Sequence, residues 1–426
     1  MTLNRKAFLK RCGLGLAGLG ASKLLAAPAS LPESLRPYSV AAGDDYWSAM
    51  RAAYDFDPGL HYFNTGGLGP SPAAIKSFTA QVAEELQWHV ETGHGRIHDV
   101  RGDAARFLGA AEDEVSFVRN ATEGNGIVAG GLDLQRGDEV IFESHAHPGG
   151  SFPWLLQAQQ KGVAVRLFEP DPTSPEGNLQ RIEALMTRRT RVVQVSHITA
   201  PTGIVMPVAS IAKLCEAHGV WFHIDGAQSA GMIPVDFAAM GCDSYATSGH
   251  KWLGGPRESG MLVVRRARQD ELVPPLVGAY SGEVENLPGS IEFTPNAGRY
   301  EYGTRDVARE LGLVEAMRWQ THIGRDAIAR HGRELAERLR AGLTPIPDLE
   351  ILTPTHADLR ASMLTIRSER LGYRELFGAL WSRHRMRCRP VSEQGLDAVR
   401  VSCHAFNTIE EIDALIAAVE QELRAA

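Results

Sequence analysis

An α/β architecture of two lobes, with a mostly parallel sheet in the larger, is what the sequence predicts, on three observations. From about Ala73 onward, short apolar and β-branched runs alternate with helix-periodic stretches, the pattern of a parallel sheet flanked by helices. That alternation gives way after residue 305 to the mixed pattern of a smaller α+β lobe. At 426 residues the chain is also longer than one hydrophobic core usually organises.

Taken in order, the elements begin with a segment unlike the rest. Arg5, Lys6, Lys10 and Arg11 bracket a small-residue apolar run at 12–21, and Ala27-Pro28-Ala29 precedes Ser30, the layout of a cleavable export signal over 1–29. The apolar run is too short to span a bilayer, so no stable membrane anchor is expected. Residues 30–72 form an N-terminal segment assigned to the small lobe and the substrate pocket. The large domain is placed at 73–305, with buried strands expected at 116–118, 140–142, 164–168, 191–195, 220–224, 244–247 and 261–264, and a helix at Val208–His218. The small domain is placed at 306–426: one long helix-forming region over 306–343, a Pro-punctuated turn at 344–347, and a closing helix over 409–424.

Composition removes several function classes. With 44% hydrophobic and 22% charged residues and no internal repeat, the chain is an ordinary globular protein rather than a solenoid or a disordered tract. Its net charge of −7 gives no support to nucleic-acid binding. Loss of residues 1–29 would remove five basic and no acidic residues, leaving 39 basic against 51 acidic. Cys215, Cys242, Cys388 and Cys403 fit neither a metal site nor a disulfide framework, so core thiols are expected.

Ligands of open α/β sheets bind where strands end, and two strand ends carry chemistry. The run Trp221-Phe222-His223-Ile224-Asp225-Gly226-Ala227-Gln228 ends on a carboxylate and turns; Thr247-Ser248-Gly249-His250-Lys251-Trp252 ends in a turn bearing a lysine. A lysine can form an imine with a cofactor aldehyde, and desolvation lowers its proton affinity toward neutral pH. A carboxylate can keep a pyridine nitrogen protonated, making the ring an electron sink.

Together the two segments resemble the class V aminotransferases, enzymes that use pyridoxal 5′-phosphate, and the likeness runs from about Tyr62 to the C-terminus. It implies the aspartate-aminotransferase-like fold (fold type I) of PLP-dependent transferases. It further implies that Lys251 carries the cofactor as a Schiff base, Asp225 pairs with the ring nitrogen and Gln228 with the ring hydroxyl, while Ser248 and His250 hold the phosphate. Asn120-Ala121-Thr122-Glu123-Gly124-Asn125 opens a helix after a strand; a plain N-cap at Asn120 or Thr122 is one reading, and the resemblance favours phosphate binding by Ala121 and Thr122. In Glu143-Ser144-His145-Ala146-His147-Pro148 a histidine would stack on the ring, His147 preferred over His145. Val399-Arg400-Val401-Ser402 resembles the segment whose arginine forks onto the substrate α-carboxylate. The run Tyr62-Phe63-Asn64-Thr65-Gly66-Gly67 resembles the pocket-lining segment, which makes Asn64 a substrate contact. Tyr300 to Arg305 resembles the stretch through which a neighbouring subunit lends a threonine, here Thr304, so a homodimer with shared sites is expected.

Cysteine desulfurases of this class carry asparagine where Ala200 stands. Thr199-Ala200-Pro201-Thr202-Gly203 instead resembles the isopenicillin-N-epimerase-like branch. The expected activity is therefore chemistry at the α-carbon of a small amino substrate: epimerisation, transamination, elimination or decarboxylation. A desulfurase using Cys388 is one alternative, and a non-catalytic cofactor-binding module another. Asn4-Arg5-Lys6-Ala7-Phe8-Leu9-Lys10 resembles a twin-arginine signal with Lys6 in place of the second arginine, which implies the twin-arginine machinery as a partner and a periplasmic location, or a cytoplasmic one if the signal does not act. The exported members of this branch include a PLP enzyme of pyoverdine maturation, similar in length, signal and core.

Overall fold

The computed structural model describes residues 37–39, 43–57 and 59–426; the expected export segment lies outside them. The large lobe holds a seven-stranded sheet: β1 (Val115–Val118), β2 (Glu139–Glu143), β3 (Ala164–Phe168), β4 (Thr190–Ser196), β5 (Trp221–Asp225), β6 (Ser244–Ser248) and β7 (Gly260–Val264). Their order is β1-β7-β6-β5-β4-β2-β3. Only β7 runs against its neighbours β1 and β6, and the remaining pairs are parallel. All seven strands fall within two residues of the sequence expectation. β1, β2, β5, β6 and β7 are buried along their whole length, which is why they read as continuous apolar runs rather than as alternation.

The parallel orientation brings the carboxyl ends of β2, β4, β5 and β6 to one edge, and two helices start there. The first, α1 (Ala121–Gly131), is capped by Asn120, whose side chain accepts from Glu123 N. The second, α2 (Pro148–Lys161), starts at His147, whose ring accepts from Gly149 N, with Pro148 at the first turn.

The region 306–343 is not one continuous helix. It forms α3 (Val307–Ile323) and α4 (Arg325–Leu343), broken at Gly324, whose φ of +104° only glycine adopts without strain. The two helices also differ in kind. α3 is buried on nearly every side and joins both lobes: Val307, Leu311, Val314 and Met317 enter the large-lobe core, whereas Ala316, Trp319 and Ile323 pack with Tyr46, Trp47, Tyr54 and Phe406. α4 has one apolar face, Leu335, Ala336, Leu339 and Leu343, in the small-lobe core.

That lobe is an antiparallel sheet of β8 (Leu349–Ile351), β9 (Met363–Ser368), β10 (Arg389–Val391) and β11 (Ala398–Ser402), in the order β8-β9-β11-β10. It is covered by α5 (Ile409–Ala425), capped by a reciprocal Thr408–Glu411 box. Phe63, fully buried, belongs to this core.

A strap at 61–70 ties the lobes together. On the small-lobe side His61 N donates to Arg385 O (3.1 Å), Phe63 N to Arg387 O (2.9 Å), and Ser402 N to Phe63 O (2.8 Å). On the other side Gly69 N donates to His250 O (2.7 Å), and a Cβ at Gly69 would lie 1.8 Å from Lys251 O. No residue but glycine fits there. Among the described residues no helix is long and apolar enough to cross a membrane, and no group of three or more His, Cys, Asp or Glu could hold a metal ion.

Candidate active site

A cavity of about 230 Å³ opens where the strand ends, the strap and the small lobe meet, lined among others by Ala121, Thr122, His147, Asp225, Gln228, Ser248, His250, Lys251 and Arg400. Asp225 is the last residue of β5 and is buried; its Oδ2 accepts from Asn125 Nδ2 (2.9 Å) and its Oδ1 from Ala227 N (3.0 Å). Lys251 follows β6 by three residues. Burial, with Arg400 and Arg389 nearby, lowers its ammonium to about 8 against the pull of Asp225, so an appreciable fraction is free amine near neutral pH.

The phosphate-like end is built by α1 and the turn after β6. Asn120 caps α1 through Glu123 N (3.0 Å), while Ala121 N donates to Ser248 Oγ (3.0 Å) and Thr122 faces the cavity. Asn120 thus both caps the helix and lines the cavity beside Ala121 and Thr122, at a helix start that is a natural anion site. His250 is held neutral, pushed down to about 4 by burial and then Lys251, and its Nδ1 is buried without a partner.

Of the two candidate histidines, His147 lines the cavity; burial, then Lys251, lowers its proton affinity. His145 is turned away, with Nδ1 3.0 Å from Thr202 Oγ1 and Nε2 3.2 Å from a Glu169 oxygen. Gln228 is clamped: Oε1 accepts from Trp252 Nε1 (2.7 Å) and Nε2 donates to Gly66 O (2.9 Å), which leaves one amide hydrogen toward the cavity.

Arg400, on β11, is 1% exposed yet forms no ion pair among the described residues. Nη1 donates to Ala200 O (2.7 Å), Nη2 to Asn64 Oδ1 (3.2 Å), and Nε is buried without a partner. Burial and Arg389 both press against its charge, but a guanidinium stays protonated at physiological pH. The cavity therefore contains a cation lacking a carboxylate. Asn64 reaches the site through this contact, and Gly66 must be small, since a Cβ there would lie 2.7 Å from Arg400 Nη2.

Thr304 is exposed and lies outside this cavity. Its neighbours Gly303 and Arg305 line a second hollow with Arg101 and Glu301. Three residues at the site were not singled out from the sequence. Asn125 could have been found from its position one turn after Ala121 on the same helix face. Arg389 stands directly across the sheet from Arg400 in the β10–β11 register and is ion-paired to Glu393. Trp252 orients Gln228 and gave no signal beyond its proximity to Lys251.

The cavity fits pyridoxal phosphate: an imine-forming amine, a buried carboxylate oriented by two donors, a helix start with small residues for a phosphate, and glycines where a Cβ would collide. The comparisons agree. The family model described as aminotransferase class-V matches residues 75–415. Isopenicillin N epimerase of Streptomyces clavuligerus is 29% identical over 388 residues, covering 88% of this chain and 98% of that protein. A probable cysteine desulfurase of Methanothermobacter thermautotrophicus is 29% identical over 387 residues, covering 84% and 94%. Among solved structures, a cystine C-S lyase in complex with its product cysteine persulfide superposes with TM-score 0.77 at 27% identity, over 84% of this chain and 97% of that one. The cysteine desulfurase of Thermococcus onnurineus shares the fold, with TM-score 0.80 at 23% identity over 89% and 98%.

Proposed function

The chain belongs to the class V aminotransferase family, and on that premise we propose that it is a pyridoxal-phosphate enzyme of the isopenicillin-N-epimerase-like branch, acting at the α-carbon of a small amino substrate in this cavity. The observation that carries the reading is the convergence on one cavity of Lys251, Asp225 and an Arg400 with no ion pair among the described residues. Lys251 would hold the cofactor through Nζ, with Asp225 at its ring nitrogen, His147 against its face, Gln228 beside its hydroxyl, and Ala121, Thr122, Ser248 and His250 around its phosphate. When bound, the cofactor supplies an electron sink for the pair released when a bond to the substrate Cα breaks. Arg400 fixes the α-carboxylate by its fork, with Asn64 and Ala200 steering the guanidinium. Lys251 Nζ takes or returns the proton at the substrate Cα, and a proton affinity near 8 suits both directions at neutral pH.

A desulfurase is the second reading, favoured by the relatives of that name. Cys388 does not serve it as the sulfur acceptor. The thiol lies in the small-lobe core, 1% exposed, and burial pushes it up to about 12, with no lowering by the flanking arginines.

The proposal includes a homodimer in which Thr304 serves the partner's cavity. The exposed position of Thr304 supports it, together with the exposed apolar side chains Val273, Leu276, Val277, Tyr280, Leu287 and Ile291 on the preceding stretch. It also includes twin-arginine export to the periplasm, supported by the basic–apolar–Ala27-Pro28-Ala29 layout, and a siderophore-tailoring role like that of the pyoverdine-maturation enzyme, supported by length, signal and the epimerase-like core.

Absorbance of the purified protein tests the central reading. A band in the region of about 410–430 nm is expected in the wild type, absent from Lys251→Ala, and shifted by the amino acid that is a substrate. A wild type left colourless after addition of pyridoxal phosphate would overturn it.

A further inference from the structure

Behind Asp225, away from the cavity, runs a line of hydrogen bonds that none of the steps above employs. Trp221 Nε1 donates to Ser244 Oγ (2.9 Å), Ser244 Oγ lies 2.8 Å from His223 Nδ1, His223 Nε2 lies 2.9 Å from Asn125 Oδ1, and Asn125 Nδ2 reaches Asp225 Oδ2 at 2.9 Å. The layout follows from strand geometry. Trp221, His223 and Asp225 alternate onto one face of β5, Ser244 is the register partner of His223 on β6, and Asn125 descends from α1 to bridge His223 and Asp225. All five side chains are buried, His223 and Ser244 completely.

Only one arrangement of protons satisfies this line. Asn125 Nδ2 also faces Gly149 O at 3.2 Å. A flipped amide would set its oxygen against that carbonyl and the Asp225 carboxylate, so Nδ2 must donate to both and Oδ1 must accept. His223 therefore carries its hydrogen on Nε2, Nδ1 accepts the Ser244 hydroxyl hydrogen, and Ser244 Oγ accepts from the indole. Burial pushes the imidazole down to about 4, so it is neutral in ordinary working conditions.

We propose that His223 is a positioning residue for Asp225: by donating to Asn125 it fixes the one amide orientation that donates to the carboxylate, and so holds Asp225 in place beneath the cofactor's ring nitrogen. Ser244 sets the tautomer on which this depends. The inference rests on the cofactor reading above. It separates His223 from an ordinary core histidine, whose loss would lower stability without changing the electronic state of a ring it does not touch.

The test compares His223→Leu, which removes the donor, with His223→Gln, which restores an N–H at similar reach. Each is loaded with pyridoxal phosphate labelled with ¹⁵N at the ring. For His223→Leu the ring-nitrogen resonance is expected to move toward its unprotonated position, with kcat falling about 10- to 100-fold, the usual scale for supporting hydrogen bonds behind a site, and KM within a few-fold. His223→Gln is expected to recover most of both. Should His223→Leu fail to fold, Ser244→Ala, a smaller change, is expected to shift the resonance in the same direction. A wild-type resonance in whichever of these variants folds, with only melting temperature reduced, would overturn the positioning role while leaving the cofactor reading intact. A wild type that binds no labelled cofactor would overturn both.

Discussion

Glu143 closes β2 with a carboxyl that has one oxygen on Ser196 N (3.0 Å) and the other buried without a partner. Burial, and to a smaller extent the charge of Asp225, pushes it up to about 7. The unfolded chain ionises this group near 4.5, so between about pH 4.5 and 7 the folded protein holds one proton more. Stability contributed by the neutral form is complete below that window, is lost as pH rises through it, and is flat above. Glu143→Gln keeps the acceptor and removes the penalty: it is expected to melt higher than wild type at about pH 8, by an amount on the order of 3 kcal/mol at most, and to lose the advantage near pH 4.5. Thermal melts across that range check it. Nothing in Glu143-Ser144-His145 announced this group, because a glutamate before a turn is ordinarily solvated. Lys251 and Asp225 were legible because imine and ring-nitrogen chemistry each need one residue type at a strand end, and Arg400 through the resemblance of its segment. Asn125 was within reach, one helical turn after Ala121, whereas Arg389 was not, because its place opposite Arg400 is set by strand register.

Elements were read well where a single physical signal dominated. Five of the strands are buried along their whole length and read as apolar runs, and the other two also stood out by their apolar and β-branched residues. The break between α3 and α4 did not, since Gly324 lies between two good helix-formers and its neighbours carry no proline. Space is not the constraint there, because a Cβ at Gly324 would have its nearest neighbour 3.7 Å away; the backbone is, at φ +104°. Gly324→Ala is expected to cost about 1–3 kcal/mol, seen as a lower denaturation midpoint with an unchanged m-value. The break matters to the architecture because it lets α3 serve both lobes while α4 turns its apolar face to one.

At the scale of the whole molecule, the proposed assembly and destination make one joint prediction. The protein recovered from the periplasmic fraction of cells with intact twin-arginine export is expected to sediment as a dimer and to begin at Ser30. A monomer, or retention of the full-length chain in the cytoplasm, would remove that part of the proposal while leaving the chemistry at Lys251 untouched. The net charge of −7 also makes a nucleic-acid partner a poor expectation on charge alone.

The strap at 61–70 has a mechanical meaning. Its small-lobe end is stitched into the sheet through Phe63, and its other end is hooked on the His250 carbonyl one residue from Lys251. Between those anchors the chain has a fixed contour, no more than about 3.4 Å per residue. The cord therefore sets how far the mouth of the cleft could spread, and any such spreading would arrive at the lysine turn as tension along the backbone.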